Sequence, residues 1–132
     1  MTYKYFTEAE LACSHCNEQG INEQFMLKIE SLREELDFPF IVTSGYRCEE
    51  HPIEARKAFL GAHTTGRAID IAVSGERAYK LLSGALRAGF TGVGINQKGS
   101  SRFIHLDDIE ASSMTLALTS GFVRPRPWIW SY

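Results

Sequence analysis

Long apolar runs are missing from this chain, and so is any excess of charge of one sign. No stretch approaches the roughly 20 consecutive apolar residues that cross a bilayer, so no membrane span is expected. The 14 basic and 16 acidic residues are interspersed and leave a net charge of −2. That pattern offers no basic face to a phosphate backbone and argues against nucleic acid as a partner. The N-terminal MTYKYFTEAE has acidic side chains where an export signal needs an apolar stretch, so synthesis and folding in the cytoplasm are expected. Cysteines are few and odd in number. Cys13, Cys16 and Cys48, in a chain without an export signal, do not make a disulfide framework, and at least one thiol should be free. Cys13-Ser-His-Cys16 has the spacing of a metal knuckle that Cys48 or His51 would complete. One pair and a stray cysteine nevertheless weigh toward ordinary buried or surface thiols.

What is present suffices for a core. A chain of 132 residues with 44% hydrophobic content falls in the size range of one domain, expected here as a monomer. Thr7-Glu-Ala-Glu10 has capping-box form and predicts a short helix over about residues 8 to 12. After a polar loop, Phe25, Ile29, Leu32 and Leu36 recur at helical spacing behind Asn22, with charged residues on the other face. Phe38 to Thr43 reads as a buried strand that ends in the turn residues Ser44-Gly45-Tyr46-Arg47. Pro52 suits the first turn of a helix through about Phe59. Gly61 to Gly66 should be loop, and Ala68 to Val73 a strand. Ala78, Leu81, Leu82, Ala85 and Leu86 mark a helix over Gly75 to Phe90 that Gly89 would end. Val93 to Asn96 and Arg102 to Asp107, joined by Gln97-Lys-Gly-Ser100, look like a hairpin. The remainder has no clear period. The expected architecture is α+β: one domain over residues 1–132, with helices packed on a small, mainly antiparallel sheet.

Asp70 lies inside an otherwise apolar strand, where a charge is costly without a partner, and His63 and His105 stand beside the two strands that would carry it. Each has a bland reading alone: a lone histidine is more often satisfied or exposed than a ligand, and Asp70 could pair with a cation such as Arg67. A shared metal ion explains all three. Two imidazoles and one carboxylate around zinc leave a position for water, as catalytic rather than structural sites do. The mixed donor set favours Zn2+ among its neighbours. Alternation along the second strand puts Phe103, His105 and Asp107 on one face, about 6.6 Å apart in steps of two.

The stretch Gly61-Ala-His63-Thr-Thr-Gly66-Arg-Ala68-Ile-Asp70 resembles the Ser-x-His-x-x-Gly-x-Ala-x-Asp motif of the zinc D-alanyl-D-alanine carboxypeptidase family, which includes phage endolysin endopeptidases. It departs at the leading serine, here Gly61. Thr43-Ser44-Gly45-Tyr46-Arg47 is similar to the family's Ser-Gly-Tyr-Arg element, and Phe103-Ile-His105-Leu-Asp107 to the strand bearing its last histidine. The resemblance spans residues 43 to 107, and the Trp-rich tail is similar to that of small phage-encoded members. It implies a peptidase of peptidoglycan stem peptides with His63, Asp70 and His105 as zinc ligands. Arg47 would bind a substrate carboxylate, beside Ser44 and Tyr46.

Proton transfer is less well provided for. Some relatives carry a glutamate three residues before the last histidine and others a histidine two before it, positions that are Arg102 and Phe103 here. Asp107 is the nearest carboxylate, nominated as general base or, with equal weight, as the group that orients His105. Asp108 should point the other way. Trp128, Trp130 and Tyr132 suggest either core packing, the favoured reading, or a wall of the cleft. A non-catalytic zinc-binding module of the wall, or a phage virion component, is the alternative to an enzyme. An endolysin would reach the wall only after release from an infected host.

Overall fold

The computed structural model describes residues 2–56, 61–110 and 125–132. Helix α1 covers Glu8–Leu11 and opens with the capping box: the Thr7 side chain accepts from Glu10 N, and Glu10 accepts from Thr7 N. Helix α2, Glu23–Leu36, is capped by the Asn22 side chain, which accepts from Phe25 N at 2.9 Å. Its apolar stripe, Phe25, Met26, Ile29 and Leu32, is buried. Strand β1 covers Ile41–Ser44, and α3 covers Pro52–Ala55 with proline in the first turn. The expectation that α3 reaches Phe59 falls partly on residues outside those described. Residues Ala62–Thr65 form a single 3-10 turn before β2, Ala68–Ala72. Helix α4, Gly75–Ala88, follows, then the hairpin of β3, Gly92–Asn96, and β4, Phe103–Asp107.

The last strand, β5 at Trp128–Ser131, was not legible as a periodic segment. It pairs with β3 in parallel and completes a sheet of order β1-β2-β4-β3-β5, whose other pairings are antiparallel. The expected α+β architecture is thus present, with one parallel edge.

Alternation sorts the sheet into two faces. Ile69 and Ile71 of β2, Val93 of β3, and Ile104 and Leu106 of β4 join the stripes of α2 and α4 in one core. The opposite face bears Asp70 and His105. Hence the strand with a charge at its centre is buried on both sides, by helices beneath and by the site above. Gly66 joins the turn to β2 in the left-handed region, φ 76°, and a side chain there would collide with the backbone of Gly20. Its carbonyl accepts from Asn22 N at 2.7 Å, tying this loop to the start of α2. Among the described residues no helix is long and apolar enough to cross a membrane.

Candidate metal centre

One row of residues crosses the sheet and builds the site. Ser44 of β1 pairs with Asp70 of β2, Asp70 with His105 of β4, His105 with Gly94 of β3, and Gly94 with Trp130 of β5. Directly opposed side chains on neighbouring strands lie close together on one face. His63 reaches the same point from the 3-10 turn. His63 Nε2 lies 3.1 Å and His105 Nδ1 3.0 Å from Asp70 Oδ1, and all three side chains are buried. Their donor atoms lie within 4.8 Å of one another.

The outer ring nitrogens decide what the inner ones present. His63 Nδ1 is 2.8 Å from the Gly45 carbonyl, which only accepts, so this nitrogen carries the proton. His105 Nε2 is 2.7 Å from Asp107 Oδ2. Burial works to raise the Asp107 carboxyl, but His105 and Arg126 outweigh it and hold it at about 2, so it is an acceptor as well. With those outer positions taken, His63 Nε2 and His105 Nδ1 are the ring nitrogens left facing Asp70, the two that would present lone pairs to a cation bound there. Asp70 itself is held well below the ordinary carboxylate range, since His105 and His63 outweigh the opposing effect of burial. Burial works to lower the His105 value, yet Asp107 and Asp70 raise it. Three electron-rich donors converging in a buried place fit a cation, and the outer hydrogen bonds to a carbonyl and a carboxylate are the usual supports of metal-binding histidines. The residues present thus fit the zinc expected from the sequence.

The outcome for the remaining candidates is mixed. Arg47 lines the cleft: its Nη1 donates to Glu54 Oε2 at 3.1 Å and its Nη2 lies 3.9 Å from Asp70 Oδ2. Glu54, fully buried, also accepts from Gly61 N at 2.7 Å, so one carboxylate fixes both the arginine and the loop before His63. Ser44 and Tyr46 depart from expectation. They line a separate small cavity against Ala9 to Asn17, because an irregularity in pairing between Val42 and Ser44 interrupts the alternation. From this element the cleft receives the Arg47 side chain and, through His63, the Gly45 carbonyl. Arg67 pairs with Asp108, through Nε at 2.7 Å and Nη2 at 2.6 Å, and leaves Asp70 to the histidines. Asp108 points away from the centre, as alternation required.

Asp107 is fully buried behind His105 and is not among the cleft-lining residues. Arg126 grips it with two hydrogen bonds, Nε to Oδ1 at 2.9 Å and Nη2 to Oδ2 at 2.8 Å. Gly92, opposite Asp107 on β3, leaves the room: a side chain there would overlap the carboxylate. Arg126 is the residue the sequence reading missed, and its guanidinium also lies over the Trp130 ring at 5.3 Å. The aromatic tail is not core. Trp128 and Tyr132 are 56% and 52% exposed, and with Trp130 they wall a cleft of about 670 Å³ that also contains His63, Asp70 and His105. Trp130 packs on the His105 ring with centroids 5.0 Å apart.

Comparison with curated proteins gives no match. The family model described as Peptidase M15 matches residues 4–107, which include the 3-10 turn, β2 and β4 and stop before Arg126 and β5. With four-fifths of its length matched and a cation-ready pair of histidines around Asp70, this chain belongs to the Peptidase M15 family, zinc peptidases of the D-alanyl-D-alanine carboxypeptidase type.

Proposed function

We propose that this chain hydrolyses peptide bonds in peptidoglycan stem peptides with zinc held by His63, Asp70 and His105, as a D-Ala-D-Ala carboxypeptidase or an endopeptidase. The observation that carries the reading is the convergence of two imidazole lone pairs and the Asp70 carboxylate on the floor of the cleft. Bound there, zinc supplies a Lewis acid and an acidified water. The chain's own groups do the rest. Arg47, held by Glu54, presents a guanidinium to a carboxylate or carbonyl oxygen of the peptide. Trp130 and Tyr132 shield one side of the centre from water and offer faces to the stem peptide.

For Asp107 the geometry favours positioning over proton transfer. Both oxygens are engaged, one by Arg126 and the other by Arg126 and His105, and the residue has no surface on the cleft. It acts through His105, fixing which nitrogen faces the metal. The resemblance of the tail to those of small phage-encoded members supports an endolysin-like use.

The same engagement of Asp107 favours a second reading, a zinc-binding module of the wall without hydrolysis. Purified protein loaded with zinc should release D-alanine from a pentapeptide stem or split cross-linked dimers, and the product separates carboxypeptidase from endopeptidase. Zinc bound without turnover of either substrate would leave the module reading standing. In Asp107→Asn, positioning predicts zinc affinity weakened by about 10–100-fold. An unchanged affinity with a collapsed kcat would restore Asp107 as the base.

A further inference from the structure

On the far side of the segment from Ser44 to Cys48, three thiols meet that the cleft does not use. Cys13 and Cys48 are buried, Cys16 is exposed, and none is in a disulfide. Their sulfurs lie within 4.8 Å of one another, and His15 Nδ1 is 3.5 Å from Cys48 Sγ. We propose that Cys13, Cys16 and Cys48, with His15 as fourth donor, form a second, structural zinc site.

The local backbone is shaped for it. Asn17 N donates to the Cys13 carbonyl at 2.7 Å, Cys13 N donates to the Glu18 carbonyl at 3.1 Å, and Asn17 takes the left-handed region at φ 61°. This tight reversal turns the two thiols of Cys13-Ser-His-Cys16 to one side, as a metal knuckle requires. Cys48 then arrives from the loop after β1 and donates its own N–H to Cys13 Sγ at 3.3 Å, a bond that favours an electron-rich sulfur. A tetrahedral zinc with bonds of about 2.3 Å places its sulfurs about 3.8 Å apart, so closing the cluster needs displacements of about 1 Å or less. A disulfide would use two of the three sulfurs and strand the third, whereas an ion uses all of them.

The choice of imidazole follows from hydrogen bonding. His51, the other candidate, is committed: Nδ1 accepts from Ile53 N at 3.1 Å, which makes Nε2 the N–H that meets Ser14 Oγ at 3.0 Å. His15 Nδ1 faces only the cluster in the bonds described. Three thiolates and one imidazole fill four positions and leave none for water, the closed set of a structural centre. The site would join the loop of residues 13–17 to the segment that gives the Gly45 carbonyl to His63 and Arg47 to the cleft, so it braces the catalytic face from behind.

The test needs no substrate. Reduced wild-type protein should contain two zinc ions per chain, and His63→Ala/His105→Ala should keep one. Cobalt(II) loaded into that double variant should show the intense near-ultraviolet thiolate-to-cobalt band, which no imidazole–carboxylate site gives. Cys16→Ser/Cys48→Ser should keep only the cleft ion. Because the cobalt band is read with every cysteine intact, a misfolded cysteine variant does not decide the matter. Failure of His63→Ala/His105→Ala to retain any metal would overturn the site, as would an intact mass short of two hydrogens in protein prepared without reductant and loaded with zinc. Neither result touches the reading of the cleft, whose zinc is counted separately in the cysteine variant.

Discussion

Asp70 and His105 oppose one another in a ladder that β1 continues on one side and β3 on the other, whereas Cys13, Cys16 and Cys48 stand on two loops joined by a few backbone hydrogen bonds. The difference concerns what an ion has to do in each place. In the cleft the sheet has already paid the entropy of positioning the donors, and outer hydrogen bonds have set their tautomers, so metal adds chemistry to a finished geometry. In the cysteine cluster the ion supplies order as well, since metal binding to loops is coupled to their folding.

The sharpest way to break the comparison is at the ladder. Asp70→Ala or His105→Ala should reduce hydrolysis to background and remove the cleft zinc, while far-ultraviolet circular dichroism stays that of the wild type. Retained turnover in either would mean that the centre lies elsewhere. Next in size is Arg126→Ala. It leaves the fully buried Asp107 without its guanidinium, and breaking a buried pair from one side costs about 3–5 kcal/mol, read as a lower urea midpoint. A loss within experimental error would show that Arg126 grips Asp107 only loosely in solution. Chelation then sharpens the contrast itself. With both ions removed, amide exchange should accelerate over residues 13–17 and stay slow over β2 and β4. Equal acceleration in both would erase the distinction between strand-borne and loop-borne sites. The smallest effect belongs to Thr7→Ala, which removes the cap of α1 at a cost of about 1 kcal/mol and should leave zinc content unchanged.

How much of this was legible follows the range of the contacts. The period-two pattern of β4 is local, so Phe103, His105 and Asp107 could be put on one face from the sequence, and the resemblance of residues 61–70 to the family motif joined His63 and Asp70 to His105 as expected ligands. The cleft itself was less accessible. Matching Ser44-Gly-Tyr-Arg47 as a block gave no account of which side chain turns inward, because the irregular pairing after Val42 interrupts the alternation. The parallel pairing of β5 with β3 and the grip of Arg126 on Asp107 join segments separated in the chain, and no repeat in residues 125–132 announces them. Exposed tryptophans look the same in sequence as buried ones, so composition alone favours core packing over a cleft wall for the tail. At the cysteines the spacing of Cys13 and Cys16 was visible, but the approach of Cys48 and the commitment of His51 to Ile53 and Ser14 are tertiary facts.

Residues 125–132 bear on when the cleft is completed during synthesis. A ribosome that has released the first 107 residues has delivered His63, Asp70 and His105, the three donors proposed for zinc, with Asp107 behind them. It has not yet delivered the guanidinium that holds Asp107 or the strand that walls the cleft. A nascent chain could therefore take up metal before its cleft is formed, and the arrival of residues 125–132, rather than the loading of the ion, would complete the cleft.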